Sequence, residues 1–473
     1  PHARRARRPV QEAGAEPYGG LSAMAGSRVR ALRERLRERN PFPEGSATIG
    51  LWLIVAGVTA YLFLAVSGQV LGSERYSALA VLWVLAFTAA PGFFQPLEQE
   101  IARAIAARRA RNTGSAPVIQ RGALTGGVIA AGLVVVIIIA ALVSPLVDSL
   151  FKGQTLLVVA LTVMLVGYFA EHMTRGVLAG NDRFRPYGLL VGSEGLLRLF
   201  ACVVLAVIGV ETAGPYGLLV AVAPFAAVAI ALRGQKGLVE PGPPAPWAEI
   251  SANIGFLVAG SALALALLNA AAVVVQLLSS SSESEQTSWI FAGMLLSRVP
   301  LYFFQAIQAT LVPELSEQRG AGEREAFRAG LRKLTIAVVV IGVVSAIGST
   351  VLGPWAVRTF FGSDFQLDAR DMALLGFGSA IYMLALTLGQ ALIALEHHGR
   401  YAFGWVVGVV VFLVAVLVGG SDDVLLRGEL AYFAGSVGAL IAMAALLWRP
   451  LRETTGREAE ALFDAVRAEP MEP

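Results

Sequence analysis

Twelve apolar runs of about 20 residues each constrain the fold of this chain more than any other feature. A helix of about that length crosses a hydrocarbon core of about 30 Å. Hydrophobic residues make up 56% of the sequence and charged residues 15%, which leaves little polar chain for a water-soluble domain. We therefore predict an all-α, polytopic membrane protein with twelve transmembrane helices. The runs lie near residues 47–67, 76–95, 122–143, 155–174, 187–209, 214–232, 248–277, 288–312, 334–352, 371–394, 401–419 and 429–448.

The distribution of basic residues predicts the orientation in the membrane. If the N-terminus is inside, 30 of the 37 Lys and Arg residues fall in cytoplasmic segments and five on the opposite face. Basic residues are retained on the cytoplasmic side during insertion. We therefore expect a multi-pass protein of the inner (cytoplasmic) membrane with both termini cytoplasmic. The net charge of +3 then reflects topology, and no nucleic-acid partner is expected.

An internal repeat divides the chain into two units of six predicted helices. Because six is an even number, both units insert the same way up, which gives parallel repeats around a central cavity. Three pairs of matching segments carry the repeat, SATIG 46–50 with SANIG 251–255, FFQ 93–95 with FFQ 303–305, and LAGNDRFRPYG 178–188 with IALEHHGRYAFG 393–404. The predicted parts are a basic cytoplasmic tail 1–45, an N-terminal lobe 46–232, a Pro/Gly-rich cytoplasmic linker 233–246, a C-terminal lobe 247–450 and a cytoplasmic tail 451–473.

Two segments carry a resemblance to a known family. RVPLYFFQAIQATLVPELS at 298–316 and RGVLAGNDRFRPYG at 175–188, within twelve predicted helices, resemble the multidrug/oligosaccharidyl-lipid/polysaccharide exporter superfamily. The similarity is to its Wzx-like polysaccharide branch or to lipid II flippases. Lipid II flippases usually carry two further C-terminal helices, so twelve favours the polysaccharide branch. The resemblance implies a flippase that moves a polyprenyl-diphosphate-linked oligosaccharide from the cytoplasmic to the outer leaflet by alternating access.

Two arginines lie near the predicted midplane, Arg198 in the fifth helix and Arg298 in the eighth. A charge at this depth costs roughly 2.5–3.5 kcal/mol on insertion scales, so it normally faces a partner or a watery cavity. A guanidinium can bind phosphate oxygens in a bidentate way, which suits an anionic lipid diphosphate. For Arg198 the alternative is a structural ion pair with Glu194, four residues earlier on the same helix face.

Other polar residues within the apolar runs are candidates for binding or coupling. Arg175, Asn269, Gln276, Gln95 and Gln305 are candidate substrate-binding residues, although the amides could equally make interhelical hydrogen bonds. The coupling candidates are Glu171, Glu194 and His172. The driving force would be a proton gradient, a sodium gradient or the membrane potential. We expect no cofactor and no metal site.

The same sequence bears on competing functions. The predicted outer segments are short, they combine no catalytic base with a substrate platform, and the sequence has no Walker motif, so we predict a transporter and not an enzyme. The alternatives are a cation-coupled multidrug exporter of the same superfamily and a non-transporting scaffold for envelope assembly. The expected partners are the lipid-linked substrate, the bilayer, and an envelope polysaccharide polymerase or glycosyltransferases.

Overall fold

The computed structural model describes residues 46–246, 254–279, 285–301, 324–419 and 423–468. Within these ranges the chain forms helices joined by short connections. The predicted tail 1–45, Gln305 and the PELS segment 313–316 lie outside the described residues. The helices are α1 Ser46–Ala110, α2 Ala116–Leu142, α3 Ser144–Phe151, α4 Thr155–Gly180, α5 Phe184–Val207, α6 Ala213–Leu232, α7 Ile254–Leu278, α8 Glu285–Ser297, α9 Arg324–Phe361, α10 Ala369–Ala394, α11 His398–Val418 and α12 Val424–Ala468.

Ten of the described helices are long and apolar enough to cross a membrane. The first of them, α1, contains two predicted runs and changes direction at Gly72, whose φ of 68° and ψ of 167° interrupt the helix. A positive φ is accessible to glycine without steric cost, which explains why a glycine stands at this bend. The all-α polytopic fold class is confirmed. The count of twelve spans stays a prediction, because the eighth run extends beyond the described residues.

Helices of the first half pack closely because small residues let their backbones approach. α5 carries Gly188 and Gly192 against the indole of Trp52 in α1. A Cβ placed on Gly192 would lie 1.9 Å from Trp52 Cε3, which no real contact allows. Small residues at such spacing are the usual way in which membrane helices associate, since lipid supplies no hydrophobic force between them.

Aromatic side chains join the two halves near their predicted outer ends. Tyr76 of α1 is fully buried, and its ring centroid lies 6.0 Å from that of Phe291 in α8, 6.2 Å from that of Phe361 in α9 and 5.7 Å from that of Phe365. We call these four residues the outer seal. Tyr61 of α1 adds a hydrogen bond of 2.9 Å from its hydroxyl to the carbonyl oxygen of Leu295. The described helices are thus closed against each other at this end.

The predicted linker is folded onto the connection between α1 and α2. Arg108 Nη1 donates to the carbonyl oxygen of Pro243 at 3.0 Å, and the backbone N–H of Ala116 donates to the carbonyl oxygen of Glu240 at 2.9 Å. Gly114 and Gly242 approach so closely that a Cβ on Gly242 would lie 2.5 Å from the carbonyl oxygen of Gly114. These contacts hold the linker to the first half, at the end of the bundle predicted to be cytoplasmic.

Cysteine labelling tests the predicted orientation. Lys236 in the linker and Ser363 after α9 are both exposed, at opposite ends of the bundle. Because basic residues are retained inside, Lys236→Cys should stay unlabelled by an impermeant maleimide in intact cells and react after permeabilisation. Ser363→Cys should react in intact cells. The native Cys202 is buried and serves as the unlabelled background. Labelling of Lys236→Cys in intact cells would show that the orientation is the reverse of the predicted one.

Replacing a packed glycine should destabilise the first half. Gly192→Ala puts a methyl group into the Trp52 ring and should cost roughly 1–3 kcal/mol of stability, the range for overpacking. Gly127→Ala is the matched control, because a Cβ there meets nothing within 4 Å and alanine is the better helix former. Thermal unfolding in detergent measures both. Equal melting temperatures for the two variants would contradict the close contact of α1 and α5.

Candidate functional site

Three helices of the first half bring five polar side chains together, which we call the inner cluster: Glu98 of α1, Glu171, His172 and Arg175 of α4, and Tyr187 of α5. His172 Nδ1 lies 2.7 Å from Glu98 Oε2, and the Tyr187 hydroxyl donates to Glu98 Oε1 at 2.9 Å. Arg175 donates to the Tyr187 hydroxyl at 3.0 Å. Its guanidinium also lies 3.3 Å from Glu98 and 3.8 Å from Glu171. Glu98 is therefore the hub of the cluster.

Arg198 lies deeper in the same half. We use the name Arg198 cage for this residue together with the groups around it, Glu194, Tyr168, Phe63, Trp83 and Phe87. Arg198 Nη1 donates to Glu194 Oε1 at 2.5 Å, and the same oxygen accepts a hydrogen bond of 3.0 Å from the Tyr168 hydroxyl. The guanidinium carbon is 5.0 Å from the centre of the Trp83 ring and 5.9 Å from that of Phe87, within the range of cation–π attraction. Arg198 and Glu194 thus form the ion pair that sequence analysis gave as the alternative. A substrate-binding role for Arg198 stays a prediction.

The charges of the inner cluster and the Arg198 cage do not balance without a proton. Together they hold three carboxyl groups, two guanidinium groups and one imidazole, and each carboxyl group is buried. Glu171 Oε2 has no hydrogen-bond partner among the described residues. Buried charges are costly unless they are paired, so the arrangement is neutral when one proton is shared among the carboxyl groups and His172.

Arg298 lies in the second half, one residue beyond the end of α8. Its Nη1 donates to Asn269 Oδ1 at 2.7 Å, and its Nη2 donates to the carbonyl oxygen of Leu268, both on α7. Arg298 also interacts electrostatically with Tyr432 of α12. Two predicted site residues, Arg298 and Asn269, are therefore in direct contact. Arg198 instead contacts residues of α1 and α5, so a cavity shared by the two arginines stays a prediction.

The remaining amide candidates have structural environments of their own. Gln276 Nε2 donates to the carbonyl oxygen of Ser149 at 2.7 Å, which links α7 to the short helix α3, while its Oε1 is buried without a partner in the described chain. Gln95 is exposed on α1. Gln276 thus makes an interhelical hydrogen bond, which was the alternative to sugar binding for these amides. Neither geometry tests sugar binding.

Sequence reasoning missed Glu98 and Tyr187. Glu98 follows the second apolar run, where the charges of the EQEIAR segment indicate a cytoplasmic connection. In the structure α1 continues to Ala110, and Glu98 is 7% exposed inside the bundle. A helical extension of the second run would have placed Glu98 on the buried face, one turn after Phe94. Tyr187 gave no signal, since its partner Glu98 is 89 residues away in the chain.

Relatives of known sequence define the family. No family model matches the chain. It is 30% identical over 437 residues to "Uncharacterized protein Rv1510" of Mycobacterium tuberculosis (strain ATCC 25618 / H37Rv), which covers 87% of this chain and 93% of that protein. The chain belongs to the Rv1510 family. It is also 29% identical over 378 residues to "Uncharacterized protein Mb3654" of Mycobacterium bovis (strain ATCC BAA-935 / AF2122/97), covering 76% of this chain and 82% of that one.

Solved structures show which fold this Rv1510-family member has. An inward-facing "multidrug resistance MATE family transporter of the MOP superfamily" superposes with a TM-score of 0.66 at 13% identity, over 87% of this chain and 99% of that one. An outward-facing structure with the same description superposes with a TM-score of 0.63 at 12% identity, over 88% and 100%. The chain therefore has the fold of these transporters, as the resemblance implied. The Wzx-like or lipid II flippase branch stays a prediction.

Removing Arg198 should strand a buried carboxylate. Among the described residues Arg198→Ala leaves Glu194 with the Tyr168 hydroxyl as its one hydrogen-bond partner, and breaking a buried pair costs about 3–5 kcal/mol. The double change with Glu194→Ala should recover most of that loss. Arg75→Ala is the control, because Arg75 and Glu211 form a pair in which both side chains are more than half exposed, worth about 0–1 kcal/mol. Thermal unfolding checks this, and an unchanged melting temperature in Arg198→Ala would exclude a structural role for the pair.

Proposed function

We propose that this Rv1510-family protein is a membrane exporter that moves a polyprenyl-diphosphate-linked oligosaccharide from the cytoplasmic to the outer leaflet. The observation that carries the proposal is the guanidinium of Arg298, held by the side chain of Asn269 and the backbone carbonyl of Leu268. These two hydrogen bonds fix the orientation of the guanidinium. An oriented cation near the predicted midplane suits the diphosphate of a lipid-linked sugar.

Alternating access is supported by the way the halves meet. The outer seal and the hydrogen bond from Ser288 Oγ to the carbonyl oxygen of Ser73 join α1 to α8 and α9. No ion pair takes part in these contacts among the described residues, so the seal consists of surfaces that can separate and re-form. The fold is shared with both inward-facing and outward-facing MATE structures. An exporter would open this end to release its substrate to the outer leaflet.

Proton coupling is supported by the charge imbalance in the first half. Within the inner cluster Glu171 lies 3.8 Å from Arg175, and it also interacts electrostatically with Glu194 of the Arg198 cage. A proton on Glu171 makes the two clusters neutral, and its loss leaves an unpaired buried carboxylate. The protonation state of Glu171 therefore changes the energy of the packed first half, as a coupling site requires.

Multidrug export is a second candidate, and a specific observation favours it. Trp83 stacks on Phe87, and Phe87 meets the ring of Tyr168 edge to face, beside the buried carboxylate of Glu194. Aromatic faces next to a carboxylate attract organic cations. Solved structures with this fold are described as multidrug resistance transporters. In the present conformation, however, Arg198 occupies the cage and pairs with Glu194.

Transfer assays on Arg298 variants distinguish the two functions. In proteoliposomes containing a fluorescent polyprenyl-diphosphate glycan, wild-type protein should move the glycan between leaflets. Arg298→Lys keeps the charge but loses the bidentate fork, so transfer should fall, and Arg298→Ala should abolish it. Arg358→Ala, at an exposed arginine of α9, is the matched control and should transfer normally. If folded Arg298→Ala transfers the glycan at the wild-type rate, Arg298 does not anchor the substrate. Transport of a cationic dye by the wild-type protein without glycan transfer would favour multidrug export.

Replacing Glu171 tests the driving force. Glu171→Gln mimics the protonated side chain and should abolish the acceleration of glycan transfer by a proton gradient while the protein stays folded. Glu211→Gln, at an exposed glutamate, should retain it. Sodium gradients and valinomycin-generated potentials are applied separately to both variants. If Glu171→Gln still responds to the proton gradient as the wild type does, Glu171 is not the coupling site.

A further inference from the structure

Glu429 is the most deeply buried carboxyl group in the described part of the chain. It lies in the second turn of α12, near the predicted outer end of the bundle, and its exposure is 0%. Neither of its two carboxylate oxygens has a hydrogen-bond partner among the described residues. The neighbouring Gly428 packs against Val275 of α7 and Ile290 of α8. An isolated carboxylate in such a position is strongly disfavoured unless something binds to it.

The charges facing Glu429 do not compensate it. Its electrostatic neighbours are Asp371, Arg370, Asp423 and Asp368, three acids and a single cation. Arg370 is already engaged, since its Nη2 lies 2.7 Å from Asp371 and 3.6 Å from Asp423, and its side chain is 50% exposed. The backbone N–H of Asp371 donates to Asp368 and lowers the pKa of that carboxyl group. Asp368 therefore stays ionised and adds negative charge.

No other helix packed against α12 supplies a counter-ion within the described ranges. α7 carries no charged residue, and α8 carries only Glu285, at its first position. The charged groups of α11, His398 and Arg400, lie in its first turn at the opposite end of the bundle. On α12 itself, Arg427 donates to the carbonyl oxygen of Val416 at 2.6 Å. Apart from Arg370 and Arg427, which are each held by other groups, the described surroundings of Glu429 are therefore apolar or acidic.

We propose that Glu429 is a proton-binding site of the second half. A single proton removes the charge that burial and the neighbouring acids oppose. A metal ion would need more ligands than this carboxyl group offers, and the described residues contain no group of three or more His, Cys, Asp or Glu side chains able to hold one. The bound proton does not depend on the export proposal. Its use in a transport cycle does.

A path of polar side chains begins at Tyr432, one helical turn from Glu429, and leads to Arg298. Tyr432, one turn after Glu429 on α12, lies with its hydroxyl 3.2 Å from Ser379 Oγ of α10 and interacts with Arg298. Ser379 Oγ lies 3.5 Å from Ser297 Oγ, next to Arg298 in the chain. Loss of the proton from Glu429 would place a negative charge one helical turn from the start of this path. In an exporter, that charge would change the attraction of Arg298 for an anionic substrate once the outer end opens.

Infrared difference spectroscopy on the purified full chain tests the proton directly. Raising the pH should remove a protonated-carboxyl band from the wild type, and this component should be missing in Glu429→Gln and displaced in Glu429→Asp. Asp423→Asn is the matched control, because Asp423 belongs to the same acidic group but is only partly buried. It should retain the band. Because Gln reproduces the neutral side chain, Glu429→Gln should melt at or above the wild-type temperature at neutral pH.

Three outcomes would overturn the proposal. The first is an unchanged protonated-carboxyl band in Glu429→Gln. The second is a large loss of thermal stability in Glu429→Gln that Glu429→Asp does not share, which would show that an ionised Glu429 has a stabilising partner. The third is removal of the wild-type band by added NaCl at constant pH but not by choline chloride, which would show that sodium occupies the site. Failure of glycan transfer in wild-type liposomes would overturn the export proposal and leave the infrared result intact.

Discussion

The hydrocarbon core offers no water to hydrogen-bond polar groups, so every charge that enters it must be compensated by protein. The helices satisfy their own backbones, and the constraint then falls on side chains. In the first half, ion pairs and hydrogen bonds compensate the charges of Glu98, Glu194, Arg175 and Arg198. What the pairs leave over is one negative charge, and the arrangement becomes neutral with a proton. The architecture and its candidate chemistry thus follow from one requirement.

The two halves meet this requirement differently. Arg198 is 2% exposed and enclosed by Glu194 and aromatic rings, so its charge is compensated within its own half. Arg298 is only partly buried, and its guanidinium is oriented by an amide and a backbone carbonyl group. Although sequence analysis treats the two arginines as counterparts, this difference makes Arg298 the better candidate for an anionic ligand.

Local properties made the helices and some of the site predictable. Apolar runs identify membrane spans because the bilayer sorts segments by hydropathy, and a charge within such a run is conspicuous. Glu171, His172, Glu194 and Arg198 were found in this way and are all buried. Glu98 and Glu429 were not, because each lies at the edge of an apolar run, where a charge is ordinarily solvated. Their burial depends on helices distant in sequence, as with His172, which lies 74 positions after Glu98.

The outer seal shows how a membrane protein can close firmly and still reopen. Its four aromatic residues bury large faces, yet such contacts have no required hydrogen-bond geometry and can re-form after separation. The hydroxyl of Tyr76 is buried there without a hydrogen-bond partner in the described chain, which costs roughly 1–3 kcal/mol in the closed arrangement. Opening would return that hydroxyl to water and offset part of the aromatic contact that is lost. The closed state is therefore less favoured than its buried aromatic area implies, as exchange between two conformations requires.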